Sequence, residues 1–220
     1  EALREIKIRQ PNVPVIMITK SEEENIMNQA IGSEIADYLI KPVNPMQILL
    51  SIKKNLHSEA LVAQKATDDY RQEFARISNQ IAMASNINDW YELYQTLVRW
   101  ELTLSNTDTG MGEMLKMQKQ EANNAFAKMV KRNYETWVTG GEHPLMSNEI
   151  FKTQIFPFID RGEKVCFIVI DNFRLDQWKT ISPLLNEYFN VEKEELYTTI
   201  LPTATQYARN AIFSGLMPID

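Results

Sequence analysis

The sequence predicts a chain of three regions, in the order α/β, all-α and α/β. Nine prolines occur in 220 residues, yet none lies between Pro45 and Pro144, and that gap holds only four glycines, Gly110 and Gly112 in its interior and Gly140 and Gly141 near its end. Because proline breaks helix interiors and glycine weakens them, the gap is predicted to be a helical block. On both sides of it, short and nearly continuous apolar runs alternate with helix-like segments, which is typical of a parallel sheet covered on both faces.

The composition is that of an ordinary globular protein, with 44% hydrophobic and 24% charged residues. The apolar runs are much shorter than the roughly 20 residues of a membrane helix, and the opening "EALREIKIRQ" has no apolar leader, so we predict no membrane insertion. A single cysteine, Cys166, excludes a disulfide framework and suits the cytoplasm. A net charge of -6 argues against binding to duplex DNA. Because Glu1 is not a methionine, we expect part of a longer protein.

The first region is predicted as a strand, "VPVIMIT" (Val13–Thr19), a helix containing "SEEENIMNQAIG", and a second strand in "ADYLIKP". Parallel strands end at the same edge of a sheet, where ligands bind in such folds, so Thr19 and Lys41 are expected to lie together there. An alternative is that Lys41 is only a solvated lysine at a strand end and Tyr38 only an aromatic residue at a sheet edge.

"PVIMITK" followed by "DYLIKPVNPMQILLSIKK" resembles the second half of a bacterial response-regulator receiver domain, a flavodoxin-like fold, and we assign residues 1–57 to it. The resemblance implies that Thr19 and Lys41 surround an aspartyl phosphate and that a cis Pro42 aims Lys41 inward. It also implies that Tyr38 is the aromatic switch residue. The phosphorylated aspartate and the ligands of Mg²⁺ belong to the first half of a receiver, so this chain by itself is expected not to be phosphorylated.

The helical block, residues 58–145, is predicted to be an antiparallel three-helix bundle. Its second helix is expected from about Ile87 to Leu104, with Asn86 or Asn88 as the N-cap, and its third from Met114. Gly140 and Gly141 are expected to cap the end of the third helix. Apolar residues at spacings of three and four form the inner face of the first helix: Tyr70, Phe74, Ile77 and Ile81.

The last region, residues 146–220, is predicted to begin with the strand "KVCFIVID" (Lys164–Asp171), which places Asp171 at the carboxyl edge of a sheet. A helix follows, and "LPTATQYARNAIFSG" then places Thr203 and Thr205 at a strand-to-helix turn. Asp171 and Thr205 are candidate catalytic residues. The alternative for both is a structural one, because Asp and Thr frequently cap the helix that follows them.

This pairing resembles the start of the alkaline phosphatase superfamily, most closely its PglZ-type domain. There an Asp at the end of the first strand binds metal, and a hydroxyl residue, usually ten positions before a glycine, is the nucleophile. Counting back from Gly215 selects Thr205 rather than Thr203, with Arg209 at a position that is basic in some relatives. The resemblance implies two Zn²⁺ ions, with Asp171 and Thr205 as ligands, and a phosphodiester substrate. The family supplies further ligands from downstream, so we expect this chain to be inactive alone; the only histidines, His57 and His143, precede the predicted strand.

Taken together, the chain resembles the PorX-type response regulators. The resemblance implies a cytoplasmic regulator that a sensor histidine kinase phosphorylates, that dimerises with itself through the receiver, and that is linked to type IX secretion. Its effector is expected to be a zinc phosphodiesterase acting on small linear or cyclic oligonucleotides. The alternative is a non-enzymatic interaction protein that binds a sigma factor or another regulatory partner. A DNA-binding output is a poor third choice, because no basic helix-turn-helix follows the receiver.

Overall fold

The computed structural model describes residues 2–10, 12–20, 35–105 and 110–218, which fall into two compact units, Glu1–Asp68 and Asp69–Asp220. Over these residues the protein is mainly helical, with one small parallel sheet of two strands. The helix predicted at "SEEENIMNQAIG" lies outside the described residues. No described helix is both long and apolar enough to cross a bilayer.

The first unit contains the parallel pair that the sequence predicts. Helix α1 (Ala2–Arg9) precedes strand β1 (Ile16–Thr19), which pairs with strand β2 (Asp37–Ile40). Helix α2 (Pro45–Met83) then begins with proline in its first turn, where the missing N–H is tolerated. The side chain of Asn44 accepts a hydrogen bond from the Met46 N–H at 2.9 Å and caps this helix start.

Helix α2 is interrupted once. His57 has φ -130° and ψ 16°, outside the helical range, so the 39-residue element consists of two helical segments that meet at this residue. His57 is also the last residue that the sequence analysis assigns to the receiver segment. The second segment continues into the second unit, where it contributes Tyr70, Ile77 and Ile81 to the buried core.

In the second unit, α2 is joined by helices α3 (Ile87–Leu104) and α4 (Met111–Val138). A buried polar network connects α2 with α4. Gln118 accepts a hydrogen bond from the Tyr70 hydroxyl at 3.1 Å and donates to the Phe74 carbonyl at 2.9 Å and to the Ser78 hydroxyl at 3.0 Å. The ring of Tyr70 lies 5.2 Å from that of Trp100 on α3, and burial raises the pKa of Tyr70 to about 12.

The ends of these helices follow local chemistry. Helix α3 has the predicted bounds, and its N-cap is Asn86 rather than Asn88, because Asn86 and Asp89 cap one another's backbone N–H groups. Helix α4 starts at Met111, three residues before the predicted start, directly after Gly110 in the left-handed conformation. Gly140 is also left-handed, just beyond the end of α4, as predicted for a terminating glycine. The antiparallel order of the bundle stays a prediction.

The region after Pro144 is built from short helical pieces. A buried cluster of Trp137, Met146, Ile200 and Ala211 joins this region to the end of α4. Its elements are a 3₁₀ turn (Ser147–Glu149), a π-helical turn (Phe151–Ile155) and helices α5 (Phe156–Asp160), α6 (Leu175–Leu185) and α7 (Thr205–Ser214).

The strand predicted over Lys164–Asp171 is not formed in the structure. A strand exists only where a second strand accepts its backbone hydrogen bonds, and no described residue pairs with this segment. Most of its apolar side chains are consequently exposed, with Ile168 75% and Ile170 58% accessible, although Phe167 packs against Phe151 and Phe213. The strand predicted to lead into the turn at Thr203 and Thr205 is reduced to one parallel bridge between Met146 and Thr198. An alkaline-phosphatase-like sheet therefore stays a prediction.

Candidate functional site

The receiver residues meet at the carboxyl edge of the two-stranded sheet. Thr19, the last residue of β1, is in register with Ile40, the last residue of β2. The Lys41 N–H donates a 2.7 Å hydrogen bond to the Thr19 carbonyl, and the Lys41–Pro42 peptide bond is cis, as predicted. The structure therefore places a hydroxyl and an exposed ammonium on adjacent strand ends, an arrangement suited to an anionic group at this edge.

Tyr38 lies inside β2, opposite Met17, and its side chain is partly buried. The residue before it makes a contact that the sequence does not reveal. The Ser51 hydroxyl of α2 donates a 2.6 Å hydrogen bond to the Asp37 carboxylate, and this bond holds the pKa of Asp37 below its usual value. Asp37 lies at the start of β2, so the bond joins the strand to α2 at the end away from Lys41.

Thr205 is the first residue of α7, and it does not cap the helix. The N-cap is Ala204, which has an extended backbone (φ -60°, ψ 140°) and no side-chain capping hydrogen bond. The alternative interpretation of Thr205 as a cap is therefore wrong. An exposed hydroxyl instead sits at a helix N-terminus, where backbone N–H groups and the helix dipole favour an anion.

Asp171 is not a helix cap either. The next helix, α6, starts at Leu175, and its N-cap is Arg174, whose N–H donates to the Gln177 side chain at 2.9 Å. The Asp171 carboxylate instead faces Arg209, with 3.8 Å between Oδ2 and the guanidinium. Both side chains are about half exposed, at 58% and 50%, so this pair contributes little to stability.

Arg209 relates the two candidate residues to one another. It follows Thr205 by four positions in α7, so both residues lie on the same face of the helix, one turn apart. The contact of Arg209 with Asp171 therefore places a carboxylate on the face of α7 that carries the Thr205 hydroxyl. One face of α7 thus carries the Thr205 hydroxyl and the Arg209 guanidinium, and the guanidinium lies 3.8 Å from the Asp171 carboxylate, which comes from a distant part of the sequence.

These groups match a zinc ion in kind but not in number. Carboxylate and hydroxyl oxygens are suitable ligands, but a zinc site needs three or four protein or water ligands. Within the described ranges, no group of three His, Cys, Asp or Glu residues lies close enough to hold a metal ion. His143, one of two histidines, instead lies 3.5 Å from Glu149. The described residues thus supply an incomplete set of donors.

Side chains of the helical block hold the segment that leads to Thr205. The Tyr134 hydroxyl of α4 accepts a hydrogen bond from the Leu201 N–H at 2.7 Å and donates to the Leu201 carbonyl at 3.3 Å. The Tyr91 hydroxyl of α3 lies 2.8 Å from the Thr198 hydroxyl. Between them Ile200 is fully buried, and its N–H donates to the Ser147 hydroxyl at 3.2 Å.

An open cavity of about 930 Å³ lies between α3, α4 and this segment. Its walls are mainly apolar and include the rings of Trp90, Tyr94 and Phe126, together with an ion pair between Lys119 and Glu101, which lie 2.6 Å apart. Leu201 and Thr203 also line it. Thr203 was the alternative candidate for the nucleophile. It lies two residues before Thr205 and lines this cavity of the helical block.

Sequence reasoning missed Tyr134 and Tyr91. The signal for Tyr134 was its position, four residues after Val130 and three before Trp137, on the apolar face of α4. A tyrosine at the border of a core buries its ring and needs a partner for its hydroxyl. The pattern could therefore predict a hydrogen bond, but it could not identify Leu201, which lies 67 positions away.

Three family models match the chain. Residues 1–53 match the response regulator receiver domain, residues 60–138 the PorX response regulator linker domain, and residues 150–220 the BREX system PglZ alkaline phosphatase-like domain. The receiver match defines the class of protein as a two-component response regulator. The order of receiver, linker and PglZ domain is more specific, and with it the chain matches a PorX-type response regulator.

A curated relative agrees with the class. The chain is 28% identical over 89 residues to the transcriptional regulatory protein ZraR of Klebsiella oxytoca, which covers 40% of this chain. The matched part is 20% of the relative's length, so the chain spans about a fifth of that protein.

Proposed function

We propose that the protein is a response regulator whose effector is a zinc-dependent phosphodiesterase acting on small linear or cyclic oligonucleotides, in control of type IX secretion. The observation that carries the proposal is the position of Thr205. Its exposed hydroxyl begins a helix without a side-chain cap, on the face where Arg209 meets Asp171. The PglZ match supports phosphoester chemistry for this region.

The groups have complementary tasks in such a reaction. The Thr205 oxygen attacks phosphorus, its proton is lost to a base, and the bond between phosphorus and the leaving oxygen breaks. The N–H groups of the first turn of α7 and the Arg209 guanidinium favour the negative phosphoryl group. Zinc, when bound, would favour the ionised hydroxyl at neutral pH. Asp171 and Thr205 are the proposed zinc ligands from this chain, with two Zn²⁺ ions in the complete domain.

The receiver edge is proposed to control this effector. Thr19 and Lys41 would contact an aspartyl phosphate whose Mg²⁺ ligands lie in the first half of a receiver, and Tyr38 would follow Thr19 as the switch. Their juxtaposition at one sheet edge supports this assignment. We also propose that the protein acts in the cytoplasm and dimerises through its receiver.

A second candidate function is supported by a different surface. Around the end of α6, the apolar side chains Leu184, Tyr188 and Phe189 are 66%, 78% and 68% exposed. Exposed apolar residues that lie close together in sequence often mark a binding surface for another protein. The PglZ region could therefore bind a regulatory partner such as a sigma factor without catalysis.

One experiment separates the two functions. Zinc content and hydrolysis of a generic phosphodiester are measured for the full-length protein that contains this chain, as wild type and as Thr205→Ala. Thr203→Ala is the matched control, because it makes the same chemical change, the loss of a threonine hydroxyl, two residues before Thr205. We expect bound zinc and a loss of turnover by about 10³-fold or more in Thr205→Ala alone.

Equal activity of wild type and Thr205→Ala would overturn the assignment of the nucleophile. Absence of both zinc and hydrolysis in the wild type would overturn the enzymatic function. Partner capture that survives Thr205→Ala but requires receiver phosphorylation would then support the interaction protein.

A further inference from the structure

We propose that Tyr134, on a helix of the linker, is a positioning residue for the nucleophilic turn of the PglZ domain. The inference rests on the proposed function and adds to it the residue that fixes where Thr205 stands. Tyr134 lies in α4, within residues 60–138 that match the linker model, whereas Thr205 lies within the PglZ match. The contact therefore crosses from one matched domain to the next.

The geometry of the Tyr134 contact is restrictive. One hydroxyl engages both polar backbone groups of Leu201, accepting from the N–H at 2.7 Å and donating to the carbonyl at 3.3 Å. Because the two hydrogen bonds reach the N–H and the carbonyl of Leu201, they fix the distance of the Leu201 backbone from α4 and also its orientation. The Tyr134 ring packs edge-on against the buried Trp137, with 6.3 Å between ring centroids, so the hydroxyl is itself held in place.

The contact at Leu201 is the last of a series. Thr198 bonds to the Tyr91 hydroxyl and, through its N–H, to the Leu145 carbonyl at 2.9 Å. The Ser147 hydroxyl then donates to Thr199 at 3.3 Å and accepts from the Ile200 N–H. Each residue from 198 to 201 thus has a partner on the helical block or on the turn that follows it, and Tyr134 holds the position nearest to Thr205.

Helix α7 is held from its other side as well. Ala211 is buried in the cluster with Trp137, Met146 and Ile200, and Ala208 packs against the same cluster. Thr205 therefore lies between two fixed points, Leu201 before the turn and Ala208 in the helix. Because a displacement of about 1 Å in a reacting group can cost about 10²-fold in rate, a hydroxyl that sets one of these points acts on catalysis without touching the substrate.

The test uses the zinc-loaded full-length protein and the variant Tyr134→Phe, which removes the hydroxyl and keeps the ring on Trp137. We expect kcat to fall about 10-fold or more, with KM and zinc content within twofold of wild type. Tyr94→Phe is the matched control, because Tyr94 lines the cavity that Leu201 also lines, while its hydroxyl makes none of the described contacts to residues 198–201. It should turn over like wild type.

Hydrogen exchange gives a readout that does not depend on activity. The Leu201 amide should exchange faster in Tyr134→Phe than in Tyr94→Phe, and the first-turn amides of α7 should follow it. Thermal unfolding is recorded alongside to confirm that each variant is folded. If Tyr134→Phe does not fold, Tyr91→Phe replaces it, with a smaller expected loss of kcat because Thr198 is farther from Thr205.

The outcomes distinguish this inference from the function on which it rests. An active wild type with unchanged kcat in Tyr134→Phe would overturn the positioning role and leave the phosphodiesterase intact. Slower turnover explained entirely by lost zinc or by raised KM would also overturn it. An inactive wild type would overturn both proposals together.

Discussion

The linker helices and the region after Pro144 both contain apolar segments, yet the two regions bury these segments to different extents. In α3, Leu93 and Leu97 are 2% and 4% exposed, whereas Ile168 and Ile170 of the predicted strand are 75% and 58% exposed. A helix satisfies its own backbone hydrogen bonds and needs neighbours only for its side chains. A strand needs partners for both. We conclude from this difference that the helical block is stable through its own packing, and that contacts with this block hold the PglZ region in place.

Removing the main contact between the two regions should produce the largest effect. Trp137 is 9% exposed and packs with Met146 and Ile200. Trp137→Ala should lower the free energy of unfolding of the full-length protein by about 3–5 kcal/mol, because it leaves a cavity at this junction. Denaturant unfolding would measure it.

Val138→Ala is the matched control for that prediction, since the neighbouring side chain is 40% exposed. It should change the free energy of unfolding by about 0.5 kcal/mol or less. Similar losses in both variants would contradict a junction centred on Trp137, and would place the support of the PglZ region elsewhere.

A smaller effect is expected inside the linker itself. Gln118→Leu removes the acceptor of the Tyr70 hydroxyl and the donor to Ser78, which leaves buried polar groups without partners. We expect a loss of about 1–3 kcal/mol in the free energy of unfolding. Gln120→Leu, on the same helix but exposed, is the control and should be nearly neutral.

The Gln118 prediction sharpens the comparison because it separates helix packing from the junction. Amide exchange at Leu201 should stay close to wild type in Gln118→Leu if the variant is folded, since Tyr134 and Trp137 are untouched. A large increase there, at unchanged global stability, would contradict the view that residues near the end of α4 carry the contact.

The sequence predicts those features that depend on neighbours along the chain. The bounds of α3 and the left-handed glycine after α4 follow from local chemistry, whereas the cis Lys41–Pro42 bond was expected from the resemblance to receiver domains, and the structure confirms all three. The prediction of a strand over residues 164–171 was wrong, because a strand forms only when a partner strand from elsewhere in the chain pairs with it. The contact of Tyr134 with Leu201 was missed for the same reason. Thr205 and Asp171 as catalytic residues stay predictions, although neither serves as a helix cap.

In the first unit, too, a side chain on a helix holds a neighbouring segment in place, and here that segment is a strand. The Ser51 hydroxyl of α2 bonds to Asp37 of β2 and is the main cause of the lowered pKa of that carboxyl group. Because the folded-state pKa lies below the unfolded value, the carboxylate contributes stability above the unfolded value of 3.8 and loses it as the pH falls through the folded pKa.

Ser51→Ala should therefore raise the pKa of Asp37 toward its ordinary value and weaken the acid dependence of stability below about pH 4. Carboxyl titration by NMR measures the pKa in each variant. Ser51 is only 2% exposed, so Ser51→Cys, which keeps a weaker donor of similar size, is the control for packing. An Asp37 pKa that stays low in Ser51→Ala would assign the shift to the Tyr38 N–H and to Lys54, which also lies on α2, and would contradict a main role of the Ser51 hydroxyl.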